Sequence, residues 1–272
     1  MRSASLPMAS DVKAWASHPV GPGFLSACTA VAAAAHFMLA TGASGFGPPH
    51  PMVALAGLAI AADLHRGAAT SQTRAAMADW LLAALALLCC VLPFRVAAAP
   101  ALVCAAALAW RLRGLQGRAA AVMLMALGGW ALKDGVWADL ASSPVLWAEA
   151  HVTSALLGLG GVSAEVAGNR ITLADGHAFI VLRACSVLSL AYPCAVGTYA
   201  LCRLLRPAQA PGWGRVALAL AVLVLLNSAR LVAMVASPAI YDVLHSDTGT
   251  LPLQLAWAGI ILLAAGPRWR RA

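Results

Sequence analysis

Charged residues are scarce in this chain. They make up 10% of its 272 residues, whereas soluble domains carry roughly a quarter, so the chain cannot cover a globular surface with polar groups. A content of 62% hydrophobic residues indicates instead an integral protein of the lipid bilayer. The 18 basic residues outnumber the 10 acidic ones, but they form no continuous stripe, and nucleic-acid binding is not predicted.

The chain also lacks the cysteine spacings of redox and zinc sites. Its seven cysteines include no Cys-x-x-Cys pair, their number is odd, and most lie in apolar runs, which argues against a disulfide framework. No cluster of ligand residues indicates a metal or an organic cofactor, and we predict neither. No small-residue cleavage site follows a short apolar core at the N-terminus. The first apolar run, beginning near Phe24, is therefore predicted to be a retained helix behind a cytoplasmic tail at 1–23.

Long apolar runs are frequent. A spanning helix needs ~20 apolar residues, with ~17 as the lower end. The runs that approach this length are 24–41, 51–64, 76–94, 96–110, 118–133, 184–204, 214–236 and 251–267. They predict an all-α polytopic membrane protein, with about eight transmembrane helices in a single domain over 1–272. A further helix-compatible stretch, 137–162, contains Asp139, Glu149 and His151, and we interpret it as interfacial or re-entrant.

Arginines in the predicted turns indicate the orientation. They follow the second, fourth and sixth helices and close the chain, at Arg66, Arg74, Arg111, Arg113, Arg118, Arg203, Arg206, Arg215, Arg268, Arg270 and Arg271. If the N-terminus is inside, eight crossings place all of these turns in the cytoplasm, as the positive-inside rule requires. Both termini are then cytoplasmic, in the inner (cytoplasmic) membrane of the cell. Residues 135–183 form a small extracytoplasmic segment between helices five and six.

This segment contains the pattern of a β-hairpin at 169–182. Ile171 and Leu173 alternate with polar neighbours, Asp175-Gly176 supplies a turn, and 179–182 is rich in β-forming residues. The hairpin leads directly into the last helices, 184–267, which contain the candidate catalytic residues.

Cys185 lies at the predicted outer end of helix six. A packed thiol is the ordinary explanation for a membrane cysteine. Here, however, the helix N-terminus and the cation Arg183, two residues earlier, predict a lowered thiol pKa. Cys194 and Cys202 lie deeper in the same helix without such a setting, and we interpret them as packed.

Arg230 lies well inside the apolar run 216–235. Burying a guanidinium in lipid costs ~2.5–3.5 kcal/mol on insertion scales, and such residues are functional by default. Asn227, three residues earlier on the same helical face, is predicted to hydrogen-bond the guanidinium. The alternatives are snorkelling to the outer interface and pairing with an acid such as Asp242.

His245 lies in the predicted outer loop 237–250. The six other histidines have no comparable setting, whereas His245 is brought near Cys185 and Arg230 by the adjoining helices. An imidazole, with an unperturbed pKa of ~6.5, can take a proton from a thiol and later return it to a leaving amine. A nucleophile, a charge stabiliser and a proton carrier at one depth are the parts of a covalent acyl-transfer site.

The order of three short motifs resembles the exosortase/archaeosortase family over roughly residues 165–265. These motifs are Cys185-Ser186, Asn227-Ser-Ala-Arg230 and His245-Ser-Asp-Thr-Gly249. The N-terminal helices match that family only in being several and apolar.

The resemblance implies a multi-span cysteine transpeptidase or protease. Members process membrane-anchored proteins that end in a sorting signal, consisting of a short motif, one transmembrane helix and a basic tail. Such a substrate protein is the expected partner, besides the lipid bilayer. The resemblance makes Cys185 the nucleophile, Arg230 the oxyanion or substrate stabiliser and His245 the general acid/base, with Asn227 and Ser186 in supporting positions.

One position departs from the family, which usually has glycine where this chain has Val187. Glycine allows close backbone approach, so a substrate or a neighbouring helix must fit differently here. A non-catalytic assembly factor for cell-surface polysaccharide is therefore one alternative. A transporter that uses Arg230 as a counter-ion is another, although no inverted repeat is evident. Thiol–disulfide exchange would need a paired outer cysteine, and none is evident.

Overall fold

The computed structural model describes residues 21–42, 51–70, 75–92, 95–112, 114–132, 138–209, 212–245 and 247–266. These residues are mostly helical. The helices are α1 (Pro22–Gly42), α2 (Pro51–Thr70), α3 (Met77–Val91), α4 (Ala98–Arg111), α5 (Leu115–Leu132), α6 (Ala138–Leu159), α7 (Val187–Leu205), α8 (Trp213–Ala236), α9 (Pro238–His245) and α10 (Asp247–Ala265). Three strands, β1 (Ala164–Ala167), β2 (Arg170–Leu173) and β3 (Ala178–Ile180), lie between α6 and α7.

Four helices are long and apolar enough to cross a membrane. They are α1 over Pro22–Leu39, α5, α7 and α8. Helices α3 and α4, and the part of α10 at Gln254–Ala265, are apolar but shorter. A helix thus lies at each of the eight apolar runs, but within the described residues only four of these helices have the length and composition of a span. The count of eight crossings remains a prediction.

Helices α1 to α5 pack into a core together with α7. Alanine is the most frequent buried residue there, so the helix axes can approach closely. The large side chains Phe37, Leu102 and Leu124 fill the remaining space and are fully buried. Phe37 meets Trp130 edge to face, with ring centroids 6.3 Å apart. Close packing among α1 to α5 supports α7, which begins next to the candidate nucleophile.

The three strands form an antiparallel sheet in the order β1-β2-β3. Strands β2 and β3 form a hairpin at the predicted position, with Ile171 opposite Phe179. Strand β1 was not predicted and pairs with β2 across the turn at Gly168-Asn169. Gly168 and Gly176 have φ of +66° and +86°, conformations that glycine adopts without a steric penalty.

Helix α6 packs against β1, β2 and α8, and it is not one of the four candidate spans. Together these elements enclose a second apolar core. Its buried members are Leu146, Ala150, Leu157, Ile171, Phe179, Val181, Cys185, Leu231, Met234 and Val235. Cys185 is thus part of the core between the sheet and the membrane helices.

Helices α2, α7, α8 and α10 meet at the opposite end of α7. Asp63 on α2 accepts two hydrogen bonds from Arg203 on α7, at 2.9 and 2.8 Å, and both side chains are almost completely buried. The prediction that Arg203 lies in the turn after this helix was therefore wrong, because it is a buried residue of the last turn of α7, where Asp63 neutralises it. Arg206 and Arg215 donate to the carbonyl of Gly266, just after α10.

Candidate functional site

Cys185 is the last residue of a 3₁₀ turn, Arg183–Cys185, that joins the sheet to α7. Its N–H donates to the carbonyl of Leu182 at 2.9 Å, and its side chain is buried, with the residue 3% exposed. Ser186 is the N-cap of α7, and its Oγ accepts from the N–H of Leu188 at 3.2 Å. Ser186 thus fixes the point at which the helix begins, and its supporting role in the reaction stays a prediction.

Val187 is the first residue of α7, at the position where the resembled family has glycine. Among the described residues only glycines have positive φ, so the backbone at Val187 lies in a region open to any L-residue. Its N–H donates to Oε1 of Glu149 at 2.7 Å. Valine therefore introduces no backbone strain at this site.

Asn227 joins α8 to the turn. Its Nδ2 donates to the carbonyl of Cys185 at 3.1 Å and to Oε1 of Glu149 at 3.3 Å. Its Oδ1 is buried without a hydrogen-bond partner among the described residues. The prediction that Asn227 holds the guanidinium of Arg230 was therefore wrong, because a guanidinium can only donate and Oδ1 of Asn227 accepts no hydrogen bond from it.

Glu149 was missed as a site residue. The sequence contained a signal, an acid within the apolar stretch 137–162, but we attributed it to an interfacial helix. Its partners Val187 and Asn227 are 38 and 78 residues away along the chain, so no local spacing could reveal them.

Arg230 is half-buried on α8, one helical turn after Asn227. Its Nε is buried without a hydrogen-bond partner among the described residues. Asp242, the acid considered as an alternative partner, is exposed on α9 and forms no ion pair with it within the described ranges. One guanidinium N–H near the thiol thus has no hydrogen-bond partner among the residues that the structure describes.

Burial raises the pKa of the Cys185 thiol, and this effect outweighs the opposing influences. The charge of Arg230 and a backbone hydrogen bond with Leu182 lower that pKa, and the charge of Glu149 raises it. The prediction of a lowered pKa was wrong because the thiol is desolvated in the core, while Arg183 is exposed. The resting side chain is therefore a thiol at neutral pH, and its reactivity depends on a base.

His245 is the last residue of α9, and its side chain lies outside the described part of the chain. The neighbouring residues Tyr241 and Leu244 pack against the core that contains Cys185. Tyr241 meets Phe179 edge to face, with ring centroids 5.8 Å apart. The backbone at His245 thus adjoins the site, and the approach of its imidazole to the thiol remains a prediction.

Three buried polar atoms around the thiol lack hydrogen-bond partners among the described residues. They are Oε2 of Glu149, Oδ1 of Asn227 and Nε of Arg230. Buried polar groups are nearly always paired, and exceptions call for an explanation such as a ligand or a catalytic role. The two acceptors, on Glu149 and Asn227, are complementary to backbone N–H groups, and the donor on Arg230 is complementary to a backbone C=O group. The set therefore matches the polar groups of a peptide backbone.

No group of three or more His, Cys, Asp or Glu side chains in the described ranges has the arrangement of a metal site. The hydrogen bonds and charges described above bring together Cys185, Asn227, Arg230 and Glu149. These residues come from α6, α8 and the turn before α7. Comparisons of the chain with known protein families, with curated proteins and with solved structures found no match.

Proposed function

We propose that this protein is a membrane-embedded cysteine transpeptidase or protease that cleaves C-terminal sorting signals of exported proteins through a thioacyl intermediate. The observation that carries the proposal is the buried Cys185 thiol beside Arg230, whose Nε–H has no partner among the described residues. A donor left unpaired next to a nucleophile is the arrangement needed to bind a developing oxyanion. The ordered motifs described above support the same reaction.

In the proposed reaction, Sγ of Cys185 attacks the scissile carbonyl carbon and the thiol proton passes to His245. The carbonyl oxygen becomes negative and accepts a hydrogen bond from Arg230, an interaction worth about 3–4 kcal/mol for a well-placed donor. Collapse breaks the C–N bond, and His245 returns its proton to the leaving amine. An acceptor amine or water then displaces sulfur and regenerates the thiol.

The raised thiol pKa gives His245 a defined task. A thiolate formed in advance would need no base, whereas a buried thiol must lose its proton as it attacks. Burial also strengthens the interaction between the oxyanion and Arg230, because little water competes for it. Burial therefore makes the nucleophile dependent on its base, and it also strengthens the stabilisation of the oxyanion by Arg230.

Trapping by hydroxylamine tests the intermediate. Hydroxylamine attacks the thioester carbon, forms a C–N bond and releases the thiol, so the processed substrate should end in a hydroxamate. Membranes containing the protein and its natural substrates are incubated with hydroxylamine, and the new C-termini are identified by mass spectrometry. Processing that continues with no hydroxamate at any concentration of hydroxylamine contradicts a thioacyl mechanism.

We further propose eight crossings in the inner membrane, both termini in the cytoplasm and the site on the extracytoplasmic side. Helix α7 supports this placement, because Cys185 precedes its first residue and Arg206 is the C-cap at its other end. Its 19 residues rise about 28 Å, close to the ~30 Å of a bilayer core. A basic end then faces the cytoplasm, as the positive-inside rule requires.

A pair of engineered cysteines tests this sidedness. In a chain without its native cysteines, Asp175→Cys in the turn between β2 and β3 should react with an impermeant maleimide on intact cells. Gln209→Cys, between α7 and α8, should react only after permeabilisation. The reverse labelling pattern, or equal labelling of both positions on intact cells, contradicts the proposed orientation.

A non-catalytic assembly factor or a transporter linked to cell-surface polysaccharide is the second candidate. The burial that raises the Cys185 pKa favours it, because a packed thiol has no nucleophilic role. In that case Arg230 serves as a counter-ion, and polysaccharide export depends on Arg230 and not on Cys185.

A further inference from the structure

Glu149 connects three elements of the site through one carboxylate oxygen. Oε1 accepts the N–H of Val187 at 2.7 Å and Nδ2 of Asn227 at 3.3 Å. The same Nδ2 donates to the carbonyl of Cys185 at 3.1 Å. The peptide groups on both sides of Ser186 are therefore fixed, one by Glu149 and the other by Asn227.

Two opposite charges also influence the thiol, because Arg230 on α8 lowers its pKa and Glu149 on α6 raises it. The other charged or titratable groups of the surrounding elements that are exposed are His151, Glu165, Arg170, Asp175, Arg183 and Asp242. Tyr241 is partly buried against Phe179, and the side chain of His245 lies outside the described part. Glu149 is thus the acid that acts most directly on the nucleophile among the described residues.

A neutral acceptor would satisfy the two donors equally well. Ser186 accepts the N–H of Leu188 and Glu149 accepts the N–H of Val187, and either N–H needs only a neutral acceptor. A half-buried carboxylate incurs a desolvation cost that an amide avoids, and its Oε2 has no partner among the described residues. The negative charge itself therefore needs an explanation.

We propose that Glu149 is a positioning residue of the Cys185 site, which fixes the turn carrying the thiol and opposes the charge of Arg230 there. This inference rests on the proposed function for its meaning, but the reactivity of the thiol tests it without any substrate. The hydrogen bond controls how far the turn can open. The charge controls the pH at which the thiol ionises.

The test measures alkylation of Cys185 by iodoacetamide as a function of pH, in membranes, with the other six cysteines replaced. Only the thiolate reacts, so the midpoint of the profile reports ionisation. The plateau at alkaline pH reports access to the sulfur. Because burial raises the pKa of this thiol, the starting protein should react slowly at neutral pH and faster as the pH rises.

Glu149→Gln keeps an acceptor oxygen and removes the charge. The negative carboxylate raises the Cys185 pKa, so its loss should move the midpoint to lower pH and leave the plateau nearly unchanged. Alkylation at neutral pH should become about threefold faster, as expected for one nearby charge in a partly hydrated site. Glu165→Gln on β1 is the matched control, because it removes an exposed acid, and its profile should equal that of the starting protein.

Val187→Pro removes the hydrogen bond and keeps the charge. Proline is favoured at the first position of a helix, and Ser186, with φ −82° and ψ 150°, already has the conformation required before proline. The freed turn should expose the sulfur and raise the plateau several-fold, while the midpoint stays near that of the starting protein. This variant also tests the role of the hydrogen bond between Val187 and Glu149 if substitutions at Glu149 prevent folding.

An unchanged midpoint in Glu149→Gln contradicts the electrostatic part of the proposal. An unchanged plateau in Val187→Pro contradicts the part in which the hydrogen bond between Val187 and Glu149 fixes the turn. Either result leaves the hydroxylamine test of the proposed function unaffected. Conversely, absence of a thioacyl intermediate together with both shifts would show a positioned thiol that serves another reaction.

Discussion

Replacement of Cys185 by alanine is expected to abolish processing of proteins that carry a C-terminal sorting signal. Cys185 is the proposed nucleophile, whose role no neighbour can assume, so the loss should be on the order of a thousandfold or more. The phenotype is visible without a known substrate, as envelope proteins that keep an apolar helix and a basic tail at their C-terminus. Mass spectrometry of membranes from cells with the variant and with the original chain provides the comparison.

Cys194→Ala is the matched control for this experiment. Cys194 lies on the same helix, is buried in a separate apolar core, and is not part of the site. Its replacement should leave processing near the original level. Uncut proteins in the Cys194 variant would indicate a folding defect, and normal processing in Cys185→Ala would exclude a covalent mechanism. Export of polysaccharide that depends on Arg230 and not on Cys185 would favour a transporter.

The largest expected effect on stability is at the opposite end of α7. Arg203→Met leaves Asp63 buried without its main partner, which typically costs about 3–5 kcal/mol. Arg203 also donates to the carbonyls of Pro207 and Gln209, at 3.0 and 2.6 Å, so the segment after α7 loses its anchor as well. Thermal unfolding of the protein in detergent measures the change.

Two further variants make this measurement specific. Arg66 also pairs with Asp63, at 3.1 Å, but its side chain is 35% exposed, so Arg66→Met should cost less than about 1 kcal/mol. Replacing both members of the buried pair, as Asp63→Leu with Arg203→Met, should recover most of the stability, because no buried charge is then left unpaired and Arg66 is partly exposed to solvent. Equal destabilisation by Arg66→Met and Arg203→Met would contradict the assignment of Arg203 as the main partner of Asp63.

Local patterns predicted the helices and part of the sheet. Each apolar run contains a helix, and the alternation around Ile171 followed by Asp175-Gly176 predicted the β2–β3 hairpin. The first strand could have been found in the same way, because Gly168-Asn169 is a two-residue turn signal between two short β-prone runs. These features depend on residues close in the chain, so a short stretch of sequence is enough to recognise them.

The contacts that build the site join distant parts of the chain. Asn227 and Arg230 were placed correctly on adjacent turns of one helix, but the direction in which the Asn227 amide donates depends on Glu149, 78 residues away. The thiol pKa also required the fold, because desolvation by the surrounding core opposes the nearby cation. Asp63 and Arg203, 140 residues apart, could not be paired for the same reason.

Helices α7 and α8 are tied at both ends. Asn227 joins α8 to the turn before α7, and at the other end Arg206 and Arg215 share the carbonyl of Gly266. Sliding one helix past the other by a single residue, about 1.5 Å, would strain both ties together. The α7–α8 pair would therefore keep its geometry when a substrate binds at the site, and the accompanying movement would fall to neighbouring elements.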